Sequence, residues 1–279
     1  MTRRVVARTA REALRSLLRV RPGQKPELRD AEAARTFGWG RDEAEQAIGE
    51  NLQRMRDLQY KMFAQRRHSV LIVLQAIDGG GKDSTIRRVI GAFNPQGCSV
   101  TAFKQPTAID LQHDFLWRVH QRVPERGTIS VFNRSHYEDV LVARVENLVP
   151  REIWSERYAR INSFEEVLRE SSTKVVKIFL QISRAEQKVR FEERLSAIDK
   201  QWKFDPDDLE KRRKWNLYRA AYRDALGRCS TSHAPWYVIP ADRKWFRDFV
   251  VSQILREELE SLPLRWPKLP YDPAKIRVV

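Results

Sequence analysis

Val70-Leu71-Ile72-Val73-Leu74 is five apolar residues without a break. It runs straight into Gln75-Ala76-Ile77-Asp78-Gly79-Gly80-Gly81-Lys82-Asp83-Ser84-Thr85. A short apolar run bounded by a turn is the pattern of a strand covered on both faces. Three successive glycines allow a tight backbone wrap whose N–H groups converge on one anion. The helical pattern that follows, Ile86-Arg87-Arg88-Val89-Ile90, starts at that wrap and adds the positive end of its dipole. Strand, glycine turn, lysine and helix together make a phosphate-binding loop, with Lys82 in reach of a bound phosphate.

The match to G-x-x-x-x-G-K-[ST] is imperfect. Ala76 stands where the first glycine belongs, and Asp83 stands where a magnesium-binding hydroxyl belongs. The competing reading is an ordinary glycine turn, but it leaves Lys82 and Asp78 unexplained.

The rest of the chain alternates between strand and helix patterns. Further strands fit 99–103, 128–132, 175–182 and 236–239. Helical patterns fit 41–67, 82–93, 110–122, 136–147, 152–170, 184–196, 207–226 and 243–261. This alternation predicts an α/β protein of the phosphate-loop kinase fold: a central five-stranded parallel sheet flanked by helices, with a helical lid. One domain over 17–279 fits better than two, with a basic arm over 1–16 and a lid module over about 184–219. The arm belongs to a stretch, residues 1–30, with nine basic residues and three acids, read as a surface helix or frayed end rather than a targeting peptide.

Composition narrows the classes. Hydrophobic residues make up 42% of the 279, enough for a core, and no apolar run approaches the ~20 residues needed to span a bilayer. Two cysteines are too few for a disulfide scaffold or a cysteine-rich zinc site, and reduced thiols suit a cytoplasmic protein. The net charge is +15, with 52 Lys and Arg against 37 Asp and Glu. Arginine grips phosphate oxygens in pairs, so this surplus favours a polyanionic partner over a neutral one.

Two more regions carry candidate chemistry. The third strand ends in Phe132-Asn133-Arg134-Ser135-His136-Tyr137-Glu138-Asp139. Asn133 occupies the slot where a phosphate-loop kinase keeps a metal-binding acid. Glu138 or Asp139 could take that part, and either could instead be a helix N-terminal acid. Arg134 falls near the phosphates, and Lys104, just past the second strand, reaches the same sheet edge. In 184–219, Arg190, Arg194, Lys200, Trp202 and Lys203 interleave cations with aromatics, as suits a lid closing over phosphates. A solvated helical hairpin is the alternative.

These segments resemble the polyphosphate kinase 2 family. The likeness lies in Leu74-Gln-Ala-Ile-Asp-Gly-Gly-Gly-Lys-Asp-Ser-Thr, Asn94-Pro-Gln-Gly, Phe132-Asn-Arg-Ser-His-Tyr-Glu-Asp-Val, Trp202-Lys-Phe and Ala234-Pro-Trp-Tyr-Val-Ile-Pro-Ala-Asp, in unbroken order over roughly 17–270. Gly-Lys-Asp and Phe-Asn-Arg-Ser-His-Tyr-Glu-Asp are similar to the class III branch. The resemblance implies phosphoryl transfer between inorganic polyphosphate and nucleotides (AMP to ADP, ADP to ATP), with Mg²⁺ as cofactor and Mn²⁺ second. It implies adenine nucleotides, with guanine second, and a homo-oligomer, dimer or tetramer. By position it implies catalytic roles for Asp78, Lys82, Arg134 and Glu138, with Asp78 and Glu138 as the metal carboxylates. Gly79, Gly80, Gly81, Lys82, Asp83, Ser84 and Thr85 would bind phosphate, joined by Lys104 on the ground of its sheet-edge position alone, and Arg190, Arg194, Lys200 and Lys203 would form the lid.

Two other functions compete. An ATP-dependent nucleoside or small-molecule kinase could use the same fold, although the loop lacks the usual hydroxyl after Lys82. A non-catalytic nucleic-acid binder would suit the charge, but no nucleic-acid motif is present, and neither specific nucleic acid nor a membrane is an expected partner.

Overall fold

A computed structural model describes residues 14–278. Its strands are β1 (Ser69–Gln75), β2 (Cys98–Ala102), β3 (Ile129–Asn133), β4 (Thr173–Gln181) and β5 (Trp236–Pro240). All neighbours pair in parallel, in the order β2-β3-β1-β4-β5. The glycine-loop strand β1 is central. Every residue of β1 is buried. Val70, Ile72 and Leu74 enter one apolar layer, while Leu71 and Val73 enter the other. That two-sided burial is why the strand reads as an unbroken apolar run rather than an alternating one.

The helices are α1 (Arg41–Gln65), α2 (Lys82–Arg88), α3 (Trp117–His120), α4 (Val142–Val145), α5 (Arg151–Glu170), α6 (Arg184–Ser196), α7 (Asp207–Arg213), α8 (Trp215–Arg228) and α9 (Lys244–Glu260). Helices α1 and α9 cover one face through Ile48, Met55, Met62, Phe249 and Ile254. Helices α5 and α8 cover the other through Ile161, Phe164, Tyr222 and Leu226.

Four expected helices are shorter or broken. The span 82–93 stops at Arg88 and tightens into a 3₁₀ turn at Ile90–Ala92, ahead of Pro95. The span 110–122 is a 3₁₀ turn (Asp110–Gln112) and α3. Here Asp110 and Asp114 side chains accept from the backbone N–H groups of Thr107 and Leu116, bonds that compete with helix. The span 136–147 is a 3₁₀ turn (His136–Asp139) and α4, closed by Asn147 at φ 53°. The span 207–226 falls within two helices that meet at Lys214, with Trp215 buried at the joint.

The boundary drawn at residue 17 falls inside a helical turn over 14–18. Leu14 and Leu18 are core residues, and Arg15 binds Glu258 and Tyr237. Residues 1–13 of the basic arm lie outside the described residues.

Candidate active site

The loop after β1 is built by conformations that need glycine. Gly79 and Gly81 have φ of +83° and +98°, a region that side chains disfavour. Gly80 turns back on Ile77, its N–H donating to that carbonyl at 2.9 Å. A β-carbon on Gly80 would stand 2.5 Å from that of Ala76. The residue that breaks the consensus thus helps to dictate the glycine four positions on.

Lys82 is buried, and its ammonium donates to the Ala76 carbonyl at 2.8 Å, 4.0 Å from Asp78 Oδ1. Arg134 Nη2 donates to the same Asp78 oxygen at 2.7 Å. Lys211 Nζ lies 3.6 Å from Asp78 Oδ2. Burial raises the Asp78 pKa, but Lys82, Arg134 and Lys211 outweigh it and hold the carboxyl below its ordinary range. Burial lowers the Lys82 pKa against the opposing pull of Asp78. Arg134 has a left-handed backbone, φ 62°, and its N–H donates to the Leu74 carbonyl, so the end of β3 is turned toward the loop.

The two acids after Arg134 separate. Glu138 accepts from Gln75 Nε2 at 3.1 Å and lines the same recess as Asp78, Arg134, Tyr218 and Tyr222. Burial pushes its pKa up, opposed by Arg134 and Lys82. Asp139 instead faces Arg157 and Arg118, at 3.0 and 3.9 Å, with its pKa pushed up to about 6 by burial. Behind this turn, Tyr137 donates to Glu165 at 2.8 Å and accepts from the buried Lys177 at 3.0 Å. The hydrogen bonds fix the backbone that carries Glu138.

Asn133 explains a departure that the sequence left open. Its Nδ2 donates to Asp83 Oδ1 at 2.8 Å. The amide is on the strand and the carboxylate on the helix. Relative to the usual motif, the acid has changed sides.

A cleft of about 640 Å³ runs over the loop, with eleven Lys and Arg against five Asp and Glu on its walls. Lys104, Lys200 and Lys203 line it, as do Arg194, Asp83 and Ser84. Ser84 Oγ donates to the Gly81 carbonyl at 2.9 Å, whereas Thr85 is fully buried and is not among the residues that line the cleft. Arg194 also contacts Asp208 at 3.4 Å, and Lys203 lies over the exposed Trp202 ring. Arg190 differs from the other cations expected in a lid. It is buried and donates to the carbonyls of Gly79 (2.9 Å), Ala241 (2.6 Å) and Asp242 (3.0 Å), so it ties the loop to the end of β5.

Four contributors were not singled out as site residues from the sequence: Lys211, Gln75, Gln187, whose Nε2 donates to the Asp78 carbonyl at 2.6 Å, and Arg247 on α9. The visible signal for Arg247 was an Arg-Asp pair inside an otherwise apolar stretch, Trp245-Phe-Arg-Asp-Phe-Val-Val.

A parallel sheet with a glycine loop and buried lysine at its carboxyl edge defines the phosphate-loop class of α/β proteins. Comparison narrows the class. The family model for polyphosphate kinase 2 matches residues 39–264. The AMP/ADP-polyphosphate phosphotransferase of Meiothermus ruber is 47% identical, over 90% of this chain and 94% of that one. The ADP-polyphosphate phosphotransferase of Rhodopseudomonas palustris is 44% identical over 78% and 79%. The crystal structure of polyphosphate kinase 2 from Arthrobacter aurescens superposes with a TM-score of 0.88 at 40% identity, covering 92% of this chain and 93% of that one. The chain belongs to the polyphosphate kinase 2 family and is an enzyme, a kinase.

Proposed function

We propose that this chain transfers phosphoryl groups between inorganic polyphosphate and adenine nucleotides, AMP to ADP and ADP to ATP, with Mg²⁺ as cofactor. The observation that carries the reading is Asp78 held between Lys82, Arg134 and Lys211 at the floor of a strongly basic cleft. The names of the relatives support the substrates. In the AMP or ADP direction, a nucleotide phosphate oxygen attacks the terminal phosphorus of the polyphosphate. The bridging P–O bond breaks, and a chain shorter by one unit leaves. The reaction needs little covalent chemistry from protein and much positioned charge. Lys82 and Arg134 offset the charge on the moving group, and the loop N–H groups orient it.

Asp78 and Glu138 suit Mg²⁺. That ion takes one or two carboxylates and completes its shell with water and substrate phosphates. When bound it would neutralise phosphate charge. An ionised Asp78 and a half-buried Glu138, with no ion partner at hydrogen-bond range among the described residues, fit that donor set. Guanine nucleotides are a second acceptor class, and Mn²⁺ a second metal. The same reading makes the protein a cytoplasmic homo-oligomer, dimer or tetramer, which light scattering would measure; among the described residues no helix is long and apolar enough to cross a membrane.

The test is a coupled ATP assay with purified protein, long-chain polyphosphate, Mg²⁺ and either AMP or ADP. Products from both acceptors are expected. Folded protein that uses ATP, but not polyphosphate, as donor would overturn the reading in favour of a nucleoside or small-molecule kinase.

A further inference from the structure

A second cavity, about 720 Å³, lies beyond the loop cleft on the α1 and α9 side. Ser84, Arg87, Lys244 and Arg247 line both cavities, so the two share a wall. Arg247 is the centre of that wall. It is 1% exposed, and Asp248 takes its Nε and Nη2 at 2.9 and 2.8 Å. Its Nη1 packs on Gly81, where a β-carbon would come within 2.2 Å, and has no hydrogen-bond partner among the described residues. A buried guanidinium with an unmatched donor keeps a positive field on both sides of it.

The acids of the second cavity are already engaged. Glu45 accepts from Arg88 at 2.5 Å, Asp248 holds Arg247, and Asp242 Oδ1 accepts the Ser183 N–H at 2.8 Å. Arg41 and Arg243, both exposed, have no acidic partner among the described residues. A nucleotide base would want apolar walls; among the cavity's lining residues the one large aromatic is the half-buried Trp245. The chemistry fits a bare linear polyanion that continues out of the loop cleft.

We propose that this basin holds the unreacted length of polyphosphate, so that Arg41 and Arg243 give the enzyme its preference for long chains over short ones. The proposal rests on the polyphosphate reading of the loop and adds the path of the chain. A donor too short to pass the Arg247 wall does not touch Arg41 or Arg243. A long donor gains their charge-assisted contacts.

The experiment compares the full-length wild type with the Arg41→Ser/Arg243→Ser double variant. Donors are long-chain polyphosphate and the shortest chain that the wild type turns over. The ratio of kcat/KM, long over short, is expected to fall about tenfold in the double variant, the equivalent of two modest charge-assisted contacts. Arg41→Lys/Arg243→Lys should recover most of it, because the charge is kept. An unchanged ratio with active enzyme would overturn the proposal alone. A rise in nucleotide KM with the ratio unchanged would also overturn it and assign the basin to the nucleotide. A wild type inactive with every polyphosphate would sink the functional reading first, and this proposal with it.

Discussion

At the scale of residues, the site is a set of mutual constraints rather than a row of independent groups. Asp78 stays ionised because three cations face it, and each of those cations is held by it in turn. Lys82→Ala and Asp78→Asn should each abolish turnover in the coupled assay while far-UV circular dichroism stays that of the wild type. Turnover surviving in Lys82→Ala would remove the loop lysine from the mechanism. The Asn133–Asp83 pair makes a sharper test. Asn133→Asp sets two carboxylates against each other, and kcat/KM should drop at least about tenfold, as for like charges in contact. Adding Asp83→Asn restores an amide–carboxylate pair with its ends exchanged. The double variant should recover most of the loss, a coupling of about 1–3 kcal/mol. If the two effects simply add, the pair is incidental.

At the scale of elements, the loop is held from outside. Helix α6 reaches it through Arg190 and Gln187, and α9 through Arg247. Arg190 donates to three carbonyls from two segments, a geometry that one ammonium cannot match. Arg190→Lys should therefore behave nearly as badly as Arg190→Ala. Both should lose about 3 kcal/mol of stability, from buried carbonyls left without a charged donor. Urea denaturation measures the loss. A lysine variant as stable as wild type would mean that charge alone is needed there. Two of the cations expected in a lid, Lys200 and Lys203, lie on a 3₁₀ connection between α6 and α7.

At the scale of the whole molecule, the N-terminal turn and the last long helix close on each other. Arg15, Lys174 and Tyr237 converge on Glu258, which joins segments more than two hundred residues apart. Burial raises the Glu258 pKa, but Lys174 and Arg15 outweigh it and the folded value is depressed. A depressed carboxylate contributes stability that is present above the unfolded pKa, about 4.3, and is lost as pH falls through the folded value. Glu258→Gln should therefore lower the thermal midpoint at pH 7, and the gap to wild type should close as pH falls below about 4. A gap that persists at acid pH would show that the loss is one of packing rather than charge.

Much of this protein was legible in one strand and one loop. Val70–Leu74 reads as a doubly covered strand because five apolar residues closed by a glycine turn suit a buried strand better than a buried helix, which needs a longer run. Gly79–Gly81 followed by Lys82 fixed the site at its carboxyl end, since local φ angles and local spacing are properties of neighbouring residues. One of the four shortened helices, 110–122, failed for a local polar reason: Asp110 and Asp114 spend their side chains on nearby backbone. What only the tertiary structure decided is which distant charges meet. Glu138 and Asp139 are adjacent in sequence and equal in type, yet one faces Asp78 and the other Arg157. Arg190 and Arg194 are one helical turn apart and both border the cleft, yet the first is buried against the Gly79, Ala241 and Asp242 carbonyls and the second is partly exposed beside Asp208. Arg247 reaches Gly81 across more than 160 positions. Periodicity records which side chains are buried, because burial repeats with the backbone. It carries no record of the partner found there, because that is set by how separate elements pack.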